Sequence, residues 1–506
     1  NVTIDTFGNA TVTVTTLNTD FKDSNKTLTF TLTKLDNTTY AAETVTVVDA
    51  SDNNVKSLTT GNDVTGFNFA GASQPVQFEA TVGTYPSETT LTSDDKLVGT
   101  SGIDTLYVTV AGDDAYLQEF SNNGVNFVPA LKSIEHVVID TTDHDIYGSN
   151  PDDIESTYTG IYTLYDEISA LDASYFDTER SFDDGEVAVE GSLTKLTIKD
   201  LANNDAETSE FNNVFLHKNM TLEFLGSGVA NEAGSLDEVV ILAEDVTDIT
   251  VELHGVGDNY GADLWFSQEN DRTWVTSGGG SDWSDDDNVS LENLNITGYL
   301  AHENSIDDVN SIFEGVDAQL LLTGEDYWID HGGDFDGDTE TYLDTISPDS
   351  ITISLDKTPD AIASNAVNNI EVVLNGSLFS YKDQNGNVTG VDYYGAENIL
   401  RDVSLIDFKG SEANIYSSMF ATDFNDGSYD ATELTILDGQ GNDNFTLDIR
   451  DSGRTAITVD LSTGTDDEDT VVLTNWNYDD LDSSSGGEGN VYLDETISSR
   501  FSDEDL

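Results

Sequence analysis

The stretch Leu434-Thr435-Ile436-Leu437-Asp438-Gly439-Gln440-Gly441-Asn442-Asp443-Asn444-Phe445-Thr446 reads as two short strands joined by a glycine turn. Leu434 and Ile436 alternate with polar residues, the period of a half-buried strand. An apolar triplet closed by Gly or Asp returns in Leu196-Thr197-Ile198-Lys199-Asp200, Leu294-Asn295-Ile296-Thr297-Gly298 and Val372-Val373-Leu374-Asn375-Gly376. Strand, polar turn, strand is the rhythm of a parallel β-solenoid. The spacing of these returns is irregular, and a set of β-sandwiches would give similar text. The expectation is therefore an all-β, multi-domain chain that mixes β-sandwich and parallel β-solenoid-like segments.

Working outward, alternation dominates the first fifty residues. Val2–Phe7, Thr11–Val14, Leu28–Leu32 and Val45–Val48 each read as strands, with turns at Gly8-Asn9 and Asp36-Asn37. These predict an antiparallel sheet or small sandwich over 1–57. Further segments are expected at 58–145, at 146–300 and at 301–506. One stretch breaks the pattern. Asn150-Pro151-Asp152-Asp153 has the N-cap, first-turn Pro and acids of a helix start. Ile154, Tyr158, Ile161, Tyr165 and Ile168 follow at helical spacing, which predicts a minor helix over 151–172.

Charge bounds the function. The 506 residues carry 98 Asp+Glu against 18 Lys+Arg, a formal net charge of −80. Carboxylates at that density oppose compaction, so a folded chain implies bound cations, high salt, or both. Disorder is the competing reading, but 37% hydrophobic and 9% aromatic residues in alternating patterns argue for a fold. Nucleic acid is an improbable partner, because phosphate neutralisation needs Lys and Arg. There is no cysteine, which excludes disulfides and thiolate metal sites. No apolar run is long enough to span a membrane. The chain begins at Asn1 without a signal-peptide pattern, so a processed form or a fragment is expected.

The acids concentrate in turns that suit calcium, which takes six to eight oxygen ligands. Three segments approach the nonapeptide G-G-x-G-x-D-x-U-x, in which carbonyls and an Asp carboxylate face the ion. Asp438-Gly439-Gln440-Gly441-Asn442-Asp443-Asn444-Phe445-Thr446 lacks only the first Gly. Gly99-Thr100-Ser101-Gly102-Ile103-Asp104-Thr105-Leu106-Tyr107 lacks the second, and Gly61-Asn62-Asp63-Val64 keeps only the core. The glycines are expected to serve positive φ and close backbone approach. Asp334-Phe335-Asp336-Gly337-Asp338-Thr339-Glu340 places Asp334, Asp336, Asp338 and Glu340 at alternate positions that can converge on one ion. It lacks the spacing of a true EF-hand. Asp383-Gln384-Asn385-Gly386-Asn387 offers Asp383, Asn385 and Asn387 with weaker ligands, and Asp423-Phe424-Asn425-Asp426-Gly427 is weaker still. The plain alternative for each is a hairpin turn, since Asn-Gly and Asp-Gly are its commonest residues. Asp282–Asp287 and Asp466–Asp469 read as solvated turns.

Between about 57 and 140 the order is Leu58-Thr59-Thr60-Gly61-Asn62-Asp63, then Leu97-Val98-Gly99-Thr100-Ser101-Gly102-Ile103-Asp104-Thr105-Leu106, then Leu131-Lys132-Ser133-Ile134-Glu135-His136-Val137-Val138-Ile139. In this the chain resembles RTX-type calcium-binding surface-layer proteins and large adhesins of Gram-negative bacteria. The similarity covers about a third of the chain, counting 434–473. It implies type I secretion, a cell-surface location and assembly with Ca2+. The chain departs from the family in that its repeats are solitary, so any ion site must be completed by residues distant in sequence.

No catalytic constellation is visible. His136, His144, His217, His254, His302 and His331 are scattered without H-E-x-x-H, and no G-x-S-x-G elbow or P-loop occurs. The expected function is a non-enzymatic structural subunit of an extracellular surface layer, self-assembling through calcium-bridged contacts, with cell-surface polysaccharide as a further partner. The alternative is an RTX-like adhesin or biofilm matrix protein that binds glycans or surfaces through aromatics such as Trp265, Trp274, Trp283, Tyr327 and Trp328. An extracellular hydrolase or lyase is the third and least supported reading.

Overall fold

The computed structural model describes residues 26–33, 39–47, 54–83, 87, 89–92, 94–111, 129–140, 170–172, 178–179, 189–190, 192–199, 213–216, 218–226, 236–243, 246–257, 262–270, 273–277, 280–284, 291–301, 316–324, 327–329, 341–345, 348–357, 368–374, 378–382, 388–393, 400, 403–420, 433–448, 456–461, 469–474 and 490–493. Among these there is no helix. The chain winds as a parallel β-solenoid with two long sheets.

The first sheet has 13 strands, each hydrogen-bonded in parallel to the next. In order they are Asn54–Ser57, Val76–Gly83, Thr105–Ala111, His136–Asp140, Lys195–Lys199, Met220–Leu225, Asp248–Val256, Asn293–Leu300, Ser350–Leu355, Leu405–Asp407, Glu433–Leu437, Ala456–Asp460 and Asn490–Leu493. The second sheet has 11 strands. Nine form a parallel ladder: Ala170–Asp172, Asn213–Leu216, Leu236–Ala243, Ala262–Asn270, Ala318–Gly324, Asn369–Val373, Asn414–Phe420, Asn444–Asp448 and Thr470–Thr474. From residue 195 onward the chain alternates between the two sheets. Lys96–Val98 and Ala130–Lys132 form a short parallel pair that follows the same alternation in the earlier coils.

Period-2 alternation decides which side chains face inward. Phe78, Leu106, Val137, Leu196, Leu222, Val251, Ile296 and Ile353 are successive register partners in the first sheet. All are 0% exposed and belong to one continuous core. A fully buried aliphatic or aromatic side chain contributes roughly 1.5–3 kcal/mol. Since each coil adds several, the chain folds without cysteine.

The irregular spacing has a structural cause. Thr105 pairs with His136, 31 residues on, and Ile436 with Val459, 23 on. By contrast His136 pairs with Lys195, 59 on; Ile249 with Leu294, 45 on; Leu294 with Ile351, 57 on; and Ile351 with Ile406, 55 on. Each of these four long coils carries an antiparallel strand pair: 178–179 with 189–190, 273–277 with 280–284, 327–329 with 341–345, and 378–382 with 388–393. These strand pairs are insertions into the four longest coils of the first sheet.

Within residues 1–57, Lys26–Thr33 pairs antiparallel with Thr39–Val47, while Asn54–Ser57 already belongs to the first parallel sheet. Residues 151–169 of the expected helix lie outside the described residues. Its last turn is corrected, because Ala170–Asp172 is a strand paired in parallel with Asn213–Leu216. There β-sheet pairing with the next coil overrides local helical spacing.

Candidate functional site

Three turns share one build. In 59–63, 100–104 and 439–443 the aspartate folds back on the residue four positions earlier. Its Oδ2 accepts the N–H of Thr59 at 2.6 Å, of Thr100 at 2.5 Å and of Gly439 at 2.6 Å. In two of the turns the other oxygen reaches the previous coil. Asp104 Oδ1 accepts the N–H of Val76 at 2.6 Å, and Asp443 Oδ1 that of Ile415 at 2.7 Å. Each aspartate N–H then donates to an acid on the next coil: Asp63 to Asp95 at 2.8 Å, Asp104 to Glu135 at 2.8 Å and Asp443 to Asp469 at 2.9 Å. Asp63, Asp95, Asp104, Asp438 and Asp443 are all buried. At Asp63, Asp95, Asp104 and Asp443, bonds from backbone N–H groups make such burial tolerable.

The turns differ at the first position. Thr100 Oγ1 lies 3.0 and 2.9 Å from the two oxygens of Asp104, and Thr59 Oγ1 lies 3.0 Å from Asp63 Oδ1. Gly439 brings no hydroxyl. A carboxylate offers about four lone-pair sites, so two N–H bonds leave Asp443 with acceptor capacity that the threonine hydroxyl takes up at Asp104.

Burial also shifts acids at these corners. Burial pushes the Asp443 carboxyl up to about 7; the Ile415 and Gly439 N–H groups pull it down, and the charges of Asp469 and Asp438 push it further up. Burial likewise raises Asp95 to about 6 against bonds from Asp63 and Thr92, with the Asp63 charge adding to the rise. Glu135 is raised by burial, with the Asp104 charge adding to it. These corners hold acids in pairs, in which burial and the neighbouring charge favour the protonated form of Asp443, Asp95 and Glu135.

The motif glycines act by close approach. None of Gly61, Gly99, Gly102, Gly439 and Gly441 has positive φ, a correction to the expectation from sequence. A Cβ at Gly99 would fall 1.9 Å from Ser133 O, and one at Gly441 would fall 2.5 Å from Asn414 Oδ1 and 2.8 Å from Ala413 O. Neighbouring coils pass too near for a side chain. Gly61 is the exception, with only Thr59 Oγ1 at 3.7 Å.

Asp334, Asp336, Asp338 and Glu340 lie outside the described residues, as do Asp383, Asn385, Asn387 and the 423–427 turn. Both of the first two sets sit between strands that pair antiparallel, 327–329 with 341–345 and 378–382 with 388–393.

A second polar cluster, missed in the sequence, lies on the outward face of the first sheet. Lys195 Nζ sits 3.0 Å from Glu223 Oε1 and 2.8 Å from Glu252 Oε2. His254 Nε2 lies 3.4 Å from Glu223 Oε1, and Thr197 donates to Glu223 Oε2 at 2.5 Å while pairing with His136 Nε2 at 2.7 Å. Against desolvation, which raises it, bonds from His254, Thr197 and Lys195 hold Glu223 down at about 2. Burial, with the Lys195 charge, lowers His136 to about 4. Glu223, Glu252 and His254 bring ligand atoms within 4.8 Å of one another. The Lys195 ammonium bridges both carboxylates, so this is an ion-pair network. Its signal was faint: Lys195 and Lys199 flank Thr197 at outward positions of a strand noticed only for its apolar residues.

Compared with protein-family models, with curated proteins and with solved structures, the chain matches none. Among the described residues no helix is long and apolar enough to cross a membrane.

Proposed function

We propose that the chain is a structural subunit of an extracellular surface layer, in which calcium at the aspartate turns ties coil to coil and favours contacts between copies. The observation that carries this reading is the pairing of a buried aspartate with an acid on the next coil, above all Asp443 with Asp469. Calcium fits the donor set in kind, since every side chain there offers oxygen. Asp443 and Asp469 would be its side-chain ligands, because Asp443 keeps acceptor capacity that Thr100 fills at Asp104 and Thr59 partly fills at Asp63. Bound there, the ion would supply the positive charge that these acids otherwise obtain by protonation. Asp443 orients the turn by accepting from Gly439 and Ile415. The Asp443 N–H fixes Asp469 beside it.

A net charge of −80 makes assembly between copies repulsive unless it is screened or bridged. Assembly is then a metal-linked equilibrium. The role is non-catalytic, secreted and at the cell surface. The test is to strip the chain with chelator, return calcium or magnesium at constant ionic strength, and follow particle size and electron micrographs. Ordered sheets with calcium and not with magnesium are expected. A folded monomer under both ions overturns the reading.

A further inference from the structure

A polar groove of about 470 Å³ lies on the outward face of the first sheet. It follows two rows of register partners. One row is Ser57, Glu79 and Tyr107; the other is Thr81, Thr109, Asp140 and Lys199. The groove is lined from Ser57 to Lys199. It therefore crosses the strands and runs along the solenoid axis.

Its volume is within the range of small-molecule sites, ~300–1,000 Å³. Its chemistry is that of a polyol site. Serine and threonine hydroxyls line it beside the Glu79 carboxylate, which accepts from Ser57 Oγ at 3.1 Å. Thr90 stands alongside as a wall, its N–H donating to Thr81 O at 2.8 Å. The half-buried Tyr107 ring, with Lys199 Nζ 6.0 Å from its centroid, forms part of the groove wall and presents its polar edge. Lys199 is bonded to Asp140 at 2.9 Å and to the Tyr107 hydroxyl at 3.2 Å, and Tyr107 also donates to Asp140. The Lys199 ammonium is thus paired in place, and the long-range field of the chain repels anions. Strands repeat about every 4.7–4.9 Å, close to the length of one pyranose unit in a β-linked chain.

We propose that this groove binds a neutral oligosaccharide lying along the solenoid axis. The site is separate from the aspartate turns, so it goes beyond the assembly role and can fail independently of it.

The test is calorimetry on the full chain with cellohexaose, xylohexaose and laminarihexaose, and with hexagalacturonate as the anionic probe. At least one neutral chain binds and hexagalacturonate does not. Thr109 is exposed, so Thr109→Trp fills the groove without entering the core and abolishes binding. Glu79→Gln weakens binding about ten-fold, the size of one lost hydrogen bond to a charged group. Circular dichroism and calcium-driven assembly are unchanged in both variants. Failure of all three neutral probes, tighter binding of the anionic one, or affinity indifferent to both substitutions overturns the proposal.

Discussion

Asp443 accepts the backbone N–H of Ile415 at 2.7 Å across 28 positions of sequence. Asp104 does the same with Val76, again across 28 positions. One carboxylate thus closes its own turn and also staples the corner of one coil to the strand of the coil before. The predictions below follow from that double role.

Asparagine in place of either aspartate keeps the shape and one acceptor, and turns an NH2 toward the second N–H donor. A buried donor left unsatisfied costs about 1–3 kcal/mol. Asp443→Asn and Asp104→Asn are each expected to lower unfolding free energy by that amount in urea titrations. Amide exchange should quicken at Ile415 in the first variant and at Val76 in the second.

Close approach, rather than backbone conformation, makes the glycines necessary. Gly99→Ala and Gly441→Ala force the neighbouring coil to shift and are expected to destabilise by about 1–3 kcal/mol, the usual cost of overpacking. Gly61→Ala, with its nearest neighbour at 3.7 Å, should stay within about 0.5 kcal/mol of the parent. Thermal melts of the three variants separate the two causes.

In chelator, pH acts on two acids in opposite directions. Asp443 holds its proton to about 7 when folded, against an ordinary value of 3.8. The folded state binds more protons across that window, so this contribution is complete below about 4 and is lost as pH rises toward 7. Glu223 falls to about 2 from 4.5. Its contribution is complete above about 4.5 and is lost as pH falls toward 2. Urea midpoints taken from pH 2 to 8 should fall at both ends. In Asp443→Asn the loss between pH 4 and 7 should shrink, while the acid limb remains.

Lys195 is the cation between Glu223 and Glu252. Lys195→Met leaves Glu223 buried beside a second carboxylate. Removing one partner of a fully buried pair costs ~3–5 kcal/mol. Partial exposure of Lys195 and Glu252 reduces this to about 1–3 kcal/mol by solvent screening. The deficit measured by denaturation should narrow at pH 4, where the stranded acids take up protons.

The sequence made the strands legible because alternation and β-branched residues mark them directly. Leu196, Leu294, Val372 and Leu434, the heads of the apolar triplets, all fall in the two long sheets. The solenoid was obscured by inserted hairpins, which stretch the interval from Leu294 to Ile351 to 57 while that from Ile436 to Val459 stays at 23. Asp63, Asp104 and Asp443 were legible as special residues of their turns. Their partners were not, because Val76, Ile415 and Asp469 meet them only after a full coil. Ala170–Asp172 was misread because helical spacing is local, whereas its strand partner lies at 213–215. The Lys195 network left only the faint local signal of two lysines flanking Thr197, and the groove left none, since both form only when four or five strands stack.

The most direct measurement is calcium-driven assembly of the wild-type chain beside Asp443→Asn, both stripped with chelator and shown folded by circular dichroism. The account predicts ordered sheets for the wild type at about 10⁻⁴–10⁻³ M calcium, the range of extracellular sites, and none with magnesium. Asp443→Asn should need markedly more calcium or stay dispersed. A wild type that remains monomeric in calcium, or a variant that assembles as readily as the wild type, would contradict it.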